Sequence, residues 1–247
     1  MRDNIKCLQS FNLNYRKNKP SVYCSGYFGL NKWESDQAAI TDVFVKNSTS
    51  DLVNDNTYNS KYLRGSVGLV YELTGKQEVG FTIETRNNID YEGITKSTSI
   101  LYRTNIQETK TSSINTNTWN SNRYDASFNY KYKIDTIGSN LKIFLYYIGH
   151  SMKDNYLWEG FFNDNPTIDS AYKTYLPADY DIFAARIDYL KKFNEKTSLS
   201  LGGRYGYATM DYKSRHDDLV GNVWLNNPNY TDDYEYISIE NGLQNKT

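Results

Sequence analysis

The side chains that could do chemistry are few and scattered. His150 and Ser151 are adjacent, and adjacent residues of an extended strand point to opposite faces, so they cannot form a nucleophile–base pair. Arg215-His216-Asp217-Asp218 holds the second of only 2 histidines, in a polar stretch with too few neighbouring ligands for a metal. Asp164 and Asp169 lie beside Asn163 and Asn165, at a spacing that does not match a calcium-binding loop. Gly202-Gly203 reads as a strand position with little room, not as a phosphate cradle. Neither a P-loop, nor a dinucleotide fingerprint, nor a zinc-ligand set is present. Catalytic, metal and cofactor sites are therefore not expected, and the chain does not read as an enzyme. Three tryptophans in polar stretches, Trp119, Trp158 and Trp224, are candidate ligand contacts, because an indole can stack on a sugar ring.

The elements that would carry these residues announce themselves by alternation with period two, the mark of half-buried strands. Phe11, Leu13 and Tyr15 alternate with Asn12 and Asn14. Leu63, Val67, Leu69 and Tyr71 alternate with Arg64, Ser66, Gly68 and Glu72. Similar runs cover about 21–33, 78–88, 123–134, 141–152, 180–191 and 197–210, with a further strand starting near Glu235. In the run from Leu141 to Tyr147 the parity opposite the apolar one also carries Phe144, Tyr146 and Ile148, so that strand fits less cleanly.

The connections alternate between short and long. Short turns fall at Lys17-Asn18-Lys19-Pro20, Thr74-Gly75-Lys76-Gln77, Asp135 to Asn140, where Gly138 can take positive φ, and Lys192 to Lys196. Between them lie polar stretches, 34–61, 89–122, 153–179 and 211–234, which read as long loops. A hairpin centred near Asn18 and Lys19 sets Cys7 opposite Leu30 and Cys24 opposite Leu13, too far apart for a disulfide.

Composition narrows the class. Only 38% of residues are hydrophobic, while the chain carries 24 Tyr, 10 Phe and 4 Trp. Tyr and Trp suit boundaries with one apolar and one wet side. A net charge of -1 gives no reason to expect nucleic acid. No window approaches the ~18 apolar residues of a transmembrane helix, and Met1 to Lys6 lack a signal-peptide core. Runs of about ten to thirteen residues exceed the usual strand, whereas a tilted strand crossing a bilayer needs ~9–11 residues. Tyr15, Tyr71, Tyr130, Tyr132 and Tyr189 near the short turns, with Tyr124, Tyr147 and Tyr207 near the other ends, resemble two interfacial girdles. Tyr23, near the short turns, and Trp33 and Tyr62, near the other ends, belong to the same two belts but stand on the opposite parity.

The expectation is one all-β domain over 1–247: an antiparallel up-and-down meander of about eight or nine long strands. It would form a partial transmembrane β-barrel, with short turns and long extracellular loops, in the outer membrane of a Gram-negative cell. Residues Phe11 to Lys17 (F-N-L-N-Y-R-K), Tyr124 to Tyr132 (Y-D-A-S-F-N-Y-K-Y), Asp181 to Tyr189 (D-I-F-A-A-R-I-D-Y) and Leu199 to Tyr205 (L-S-L-G-G-R-Y) resemble the β-barrel domain of Bacteroidetes-type TonB-dependent outer-membrane receptors. That resemblance implies a plugged, 22-stranded barrel that imports siderophores, glycans or peptides, with a plug domain and TonB as partners besides membrane lipid. Against that plan this sequence lacks a signal peptide, plug and TonB box and reaches about nine strands, so it reads as a segment not competent alone. The alternative is a small barrel or β-sheet module whose aromatic-rich loops bind glycan or another surface ligand.

Overall fold

The computed structural model describes residues 5–43, 48–103, 106–163, 165, 167–194 and 196–246. Met1 to Asn4 and Asp164 lie outside the described residues. The chain is all-β. Its strands are β1 (Ile5–Arg16), β2 (Pro20–Val43), β3 (Ser48–Thr74), β4 (Gln77–Arg103), β5 (Ile106–Lys133), β6 (Asn140–Phe162), β7 (Ser170–Lys192), β8 (Ser198–Val220), β9 (Val223–Asn226) and β10 (Asp232–Lys246). They form one antiparallel sheet in the order β1-β2-β3-β4-β5-β6-β7-β8-β10, with the short β9 also on β8. Among the described residues, β1 and β10 pair on one side only and form the two edges.

The turns fall where turn chemistry placed them. Asn18 takes φ 55 and Gly138 takes φ 103, a backbone region that Gly enters without steric cost. The predicted register also holds, with Cys7 opposite Leu30 and Leu13 opposite Cys24; both cysteines are free. Asp135, in the β5–β6 turn, accepts from Ser139 N–H at 2.9 Å and from Lys191 Nζ at 3.1 Å. Lys192 N–H donates to Ser139 Oγ at 2.9 Å, which ties this turn to the end of β7.

The polar stretches are not loops. β3 and β4 have 27 residues each, β5 has 28, and β6, β7 and β8 have 23 each. The described parts of 34–61 and 89–122 are therefore the far halves of hairpins. Asn, Ser and Thr alternate there without apolar contrast, which hides the period, yet the described backbone still pairs across the ladder. At ~3.3 Å per residue such strands far exceed a bilayer crossing.

The near halves carry the apolar face. In register, Val22, Leu69, Phe81, Phe128, Leu145, Ala185 and Tyr205 form one row, with Cys24, Val67, Ile83, Ala126, Tyr147, Phe183, Tyr207 and Ile239 in the next. These side chains are not packed inside. Val67 is 54% exposed, Ile83 48% and Phe11 59%, while the buried apolar core among the described residues is Ala171 and Ala178. An apolar face this broad without a core is stable only against an apolar solvent. A tilted strand needs ~9–11 residues to cross an apolar band ~25 Å tall.

A bulge changes the parity of β4. Lys61 opposes Asp90 but Tyr62 opposes Asn88, so Ile89 is an extra residue. The same step appears against β5, where Asn88 opposes Ser121 and Tyr91 opposes Trp119. Beyond the bulge, odd-numbered residues of β4 take the polar face.

Candidate functional site

The polar face has two zones. Nearer the short turns it is ionic. Arg64, Arg86 and Arg123 are direct cross-strand neighbours in one row, followed by His150. Like charges set opposite one another are unfavourable, and the next row offsets them with Glu84 and Asp125. Arg86 donates to Glu84 at 3.2 Å, and Arg123 holds Asp125 by contacts of 2.8–3.2 Å. Tyr146 donates to Asp125 at 2.7 Å and stacks on Phe144. The aromatic residues on the second parity of β6 thus belong to the polar face, as the alternation placed them, and Tyr146 serves an ion pair there.

His150 does find a hydroxyl, though not Ser151. Ser121 Oγ lies 2.9 Å from His150 Nε2, and the ring stacks on Tyr180. The two residues sit on neighbouring strands, and only the register brings them together. His216 joins Thr174, whose Oγ1 is 2.9 Å from Nδ1, to Asp218, whose Oδ1 is 3.2 Å from Nε2. Hydroxyl, imidazole and carboxylate in line resemble a nucleophile chain. Thr174, however, sits in β7 between β6 and β8, where neighbouring N–H groups are spent in two ladders rather than free to hold an oxyanion. His216 lies between the rings of Tyr172 and Tyr230, with centroids at 5.1 and 5.2 Å. Among the described residues no group of three or more His, Cys, Asp or Glu is placed to hold a metal.

Farther from the short turns the polar face becomes aromatic. Trp33 stacks on Tyr58 at 5.2 Å, Tyr58 lies 6.3 Å from Tyr91, and Tyr91 meets Trp119 edge-on at 6.1 Å. This ladder crosses β2, β3, β4 and β5. Gly93 makes room for it: a Cβ there would lie 3.1 Å from both Tyr58 Cδ1 and Tyr91 Oη. A second row begins with Trp158 on Tyr172 at 5.3 Å and runs on to His216 and Tyr230. Burial, with Tyr58 and Asp154 nearby, pushes the Tyr91 hydroxyl up in pKa. Burial also raises Tyr156, whose hydroxyl is bonded to Asp154.

The three tryptophans singled out from the sequence do not converge, and none lies in a loop. Trp119 and Trp158 stand in β5 and β6 on the polar face, in different rows. Trp224 stands in β9 on the opposite face, with Lys173 Nζ 4.7 Å from its ring centroid. Beside it, burial pushes the Asp217 carboxyl up, but Arg215 and Lys173 outweigh that and hold it below the usual range. Trp33, Tyr58 and Tyr91, the rest of the first row, escaped the sequence reading as a site. In the sequence Trp33 stands out only by its parity, and Tyr91 reaches this face only through the bulge at Ile89.

No curated protein matches the chain. Residues 132–239, from the end of β5 into β10, match the model of the outer membrane protein beta-barrel family, and this similarity supports an outer-membrane barrel role for the sheet that contains them.

Proposed function

We propose that this sheet is the wall of an outer-membrane TonB-dependent receptor of the type common in Bacteroidetes, which imports a large nutrient of the siderophore, glycan or peptide class. Its apolar face meets lipid, and its polar face lines the lumen and an extracellular vestibule built by the far halves of the strands. A plug domain and TonB are the partners in the working transporter, and the location is the outer membrane of a Gram-negative cell. The observation that carries this reading is the exposed apolar band running unbroken from β1 to β10, with two edges that are unpaired among the described residues. Lipid tolerates neither an unpaired backbone edge nor a charged face, so the edges close on one another or on further strands.

The alternative is a small closed barrel or β-sheet module that binds a surface ligand by itself. Its favouring observation is the aromatic ladder, which needs no plug to form. One experiment separates the two. The gene is deleted in its native host, and uptake of labelled nutrients is compared with and without TonB. Uptake that needs both supports the receptor, whereas binding that survives loss of TonB with no uptake defect supports the module.

A further inference from the structure

We propose that the polar face along Trp33, Tyr58, Tyr91 and Trp119 is a binding platform for an uncharged oligosaccharide. The inference rests on the transport-barrel reading and names the nutrient class.

Charge is sorted between the two faces of the far halves. The face continuous with the apolar band carries Lys32, Glu34, Lys61, Asp90, Glu92 and Lys96, a solvated mixture of both signs. On the other face, across β2–β6 in the rows from Tyr62 to Asn54, Asp154 is the one charged side chain among the described residues. Its remaining polar groups are amides and hydroxyls, among them Asn31, Ser35, Asn56, Thr95 and Asn117. A surface that needed only to stay wet would have no reason to exclude charge from one side.

Aromatic rings with neutral amides and hydroxyls match one chemistry closely. A sugar ring offers C–H faces for the arenes and hydroxyls for the amides. Among the described residues the ladder ends at Trp33, which is 43% exposed, and the edge-on contact turns the Trp119 ring out of the plane of Tyr91.

A second observation points the same way. Four shielded polar atoms have no hydrogen-bond partner among the described residues: Ser35 Oγ, Asn54 Oδ1, Asn117 Oδ1 and Asp154 Oδ1. All four belong to residues of this same patch. Three are pure acceptors, so they call for a donor, which a sugar hydroxyl supplies and an anionic ferric complex does not. Each is shielded, so a hydroxyl that reaches it displaces a neighbouring side chain.

The test uses the full chain refolded in lauryldimethylamine oxide, a detergent without a sugar headgroup. Heat-modifiable gel mobility and a β-sheet circular dichroism spectrum first establish insertion. Neutral hexasaccharides of glucose, mannose and xylose are then titrated by calorimetry and tryptophan fluorescence, beside a ferric catecholate, a ferric hydroxamate, and acidic and basic peptides. The expected result is saturable binding of at least one neutral hexasaccharide. Trp33→Ala and Trp119→Ala should each weaken it by about tenfold, with Trp119→Phe largely restoring it and Trp224→Ala without effect. Should Trp119→Ala fail to fold, Trp33→Ala at the open end of the row gives the same readout. The proposal is overturned if a folded chain binds only the ferric complexes or peptides, binds no neutral hexasaccharide, or binds one equally well without Trp33 and Trp119. A chain that folds and stays soluble without detergent overturns the barrel reading itself, and the platform with it.

Discussion

Tyr146 donates to Asp125 at 2.7 Å from the neighbouring strand, and the same carboxylate is gripped by Arg123. A buried carboxylate with one cation and one hydroxyl is well satisfied, and removing either partner is costly. Asp125→Ala is expected to destabilise the chain by about 2 kcal/mol, because Arg123 loses its partner beside Arg86. Tyr146→Phe should cost about 1 kcal/mol. Urea titrations in lipid vesicles check both, and the double variant should fall short of the sum. Additive losses would mean that Tyr146 and Asp125 do not act together.

Charge in the apolar band should be expensive at its centre and harmless beyond it. Leu69 lies in the middle row of that face, opposite Phe81 and Val22. Leu69→Arg is expected to cost about 2–4 kcal/mol in vesicles. Thr118→Arg, on the same face but in the far half, should cost almost nothing. Equal costs at the two positions would count against the bilayer.

Gly68 sits under Tyr23, whose hydroxyl lies 2.6 Å from Thr82 Oγ1. A Cβ on Gly68 would overlap the Tyr23 ring. Gly68→Ala should therefore swing the ring away and break that bond, a loss of about 1 kcal/mol. In a Tyr23→Phe background most of the cost of Gly68→Ala should disappear, as a double-mutant cycle would report. An undiminished cost there would show that the lost bond is not its source.

Acid should loosen the β5–β6 turn. Hydrogen bonds from Ser139, and then Lys191, hold the Asp135 carboxyl well below its ordinary value of 3.8. A depressed native pKa contributes stability that is complete above about pH 4 and lost as pH falls through the native value. Protection of the Ser139 amide against hydrogen exchange should fall below pH 4 in the native chain. In Asp135→Asn that acid-dependent step should vanish, and a step that persisted would assign it to another carboxylate.

Much of the near half was legible in the residues themselves. Alternation gave the strands, turn residues gave the hairpins, and the hairpin centre at Asn18 fixed Cys7 against Leu30. A period of two is a local signal, and where one face is apolar it also sets the register. The same logic explains the misreading of 34–61, 89–122, 153–179 and 211–234 as loops. Asn, Ser and Thr on both faces carry no apolar contrast, so pairing there is decided by the partner strand.

The candidate site was the least legible part. Trp119 and Trp158 could be picked out by residue type, but Trp224 lies on the far side of the sheet, and Tyr58 and Tyr91 gave no sign. Ser121 and His150 are 29 residues apart in sequence and 2.9 Å apart in space. The sequence by itself determined which residues alternate, where the chain turns and which face is apolar, because those depend on neighbours along the chain. Tertiary structure decided which rings stand side by side, because one extra residue at Ile89 reverses every side chain beyond it, and cross-strand neighbours exist only once the register is made.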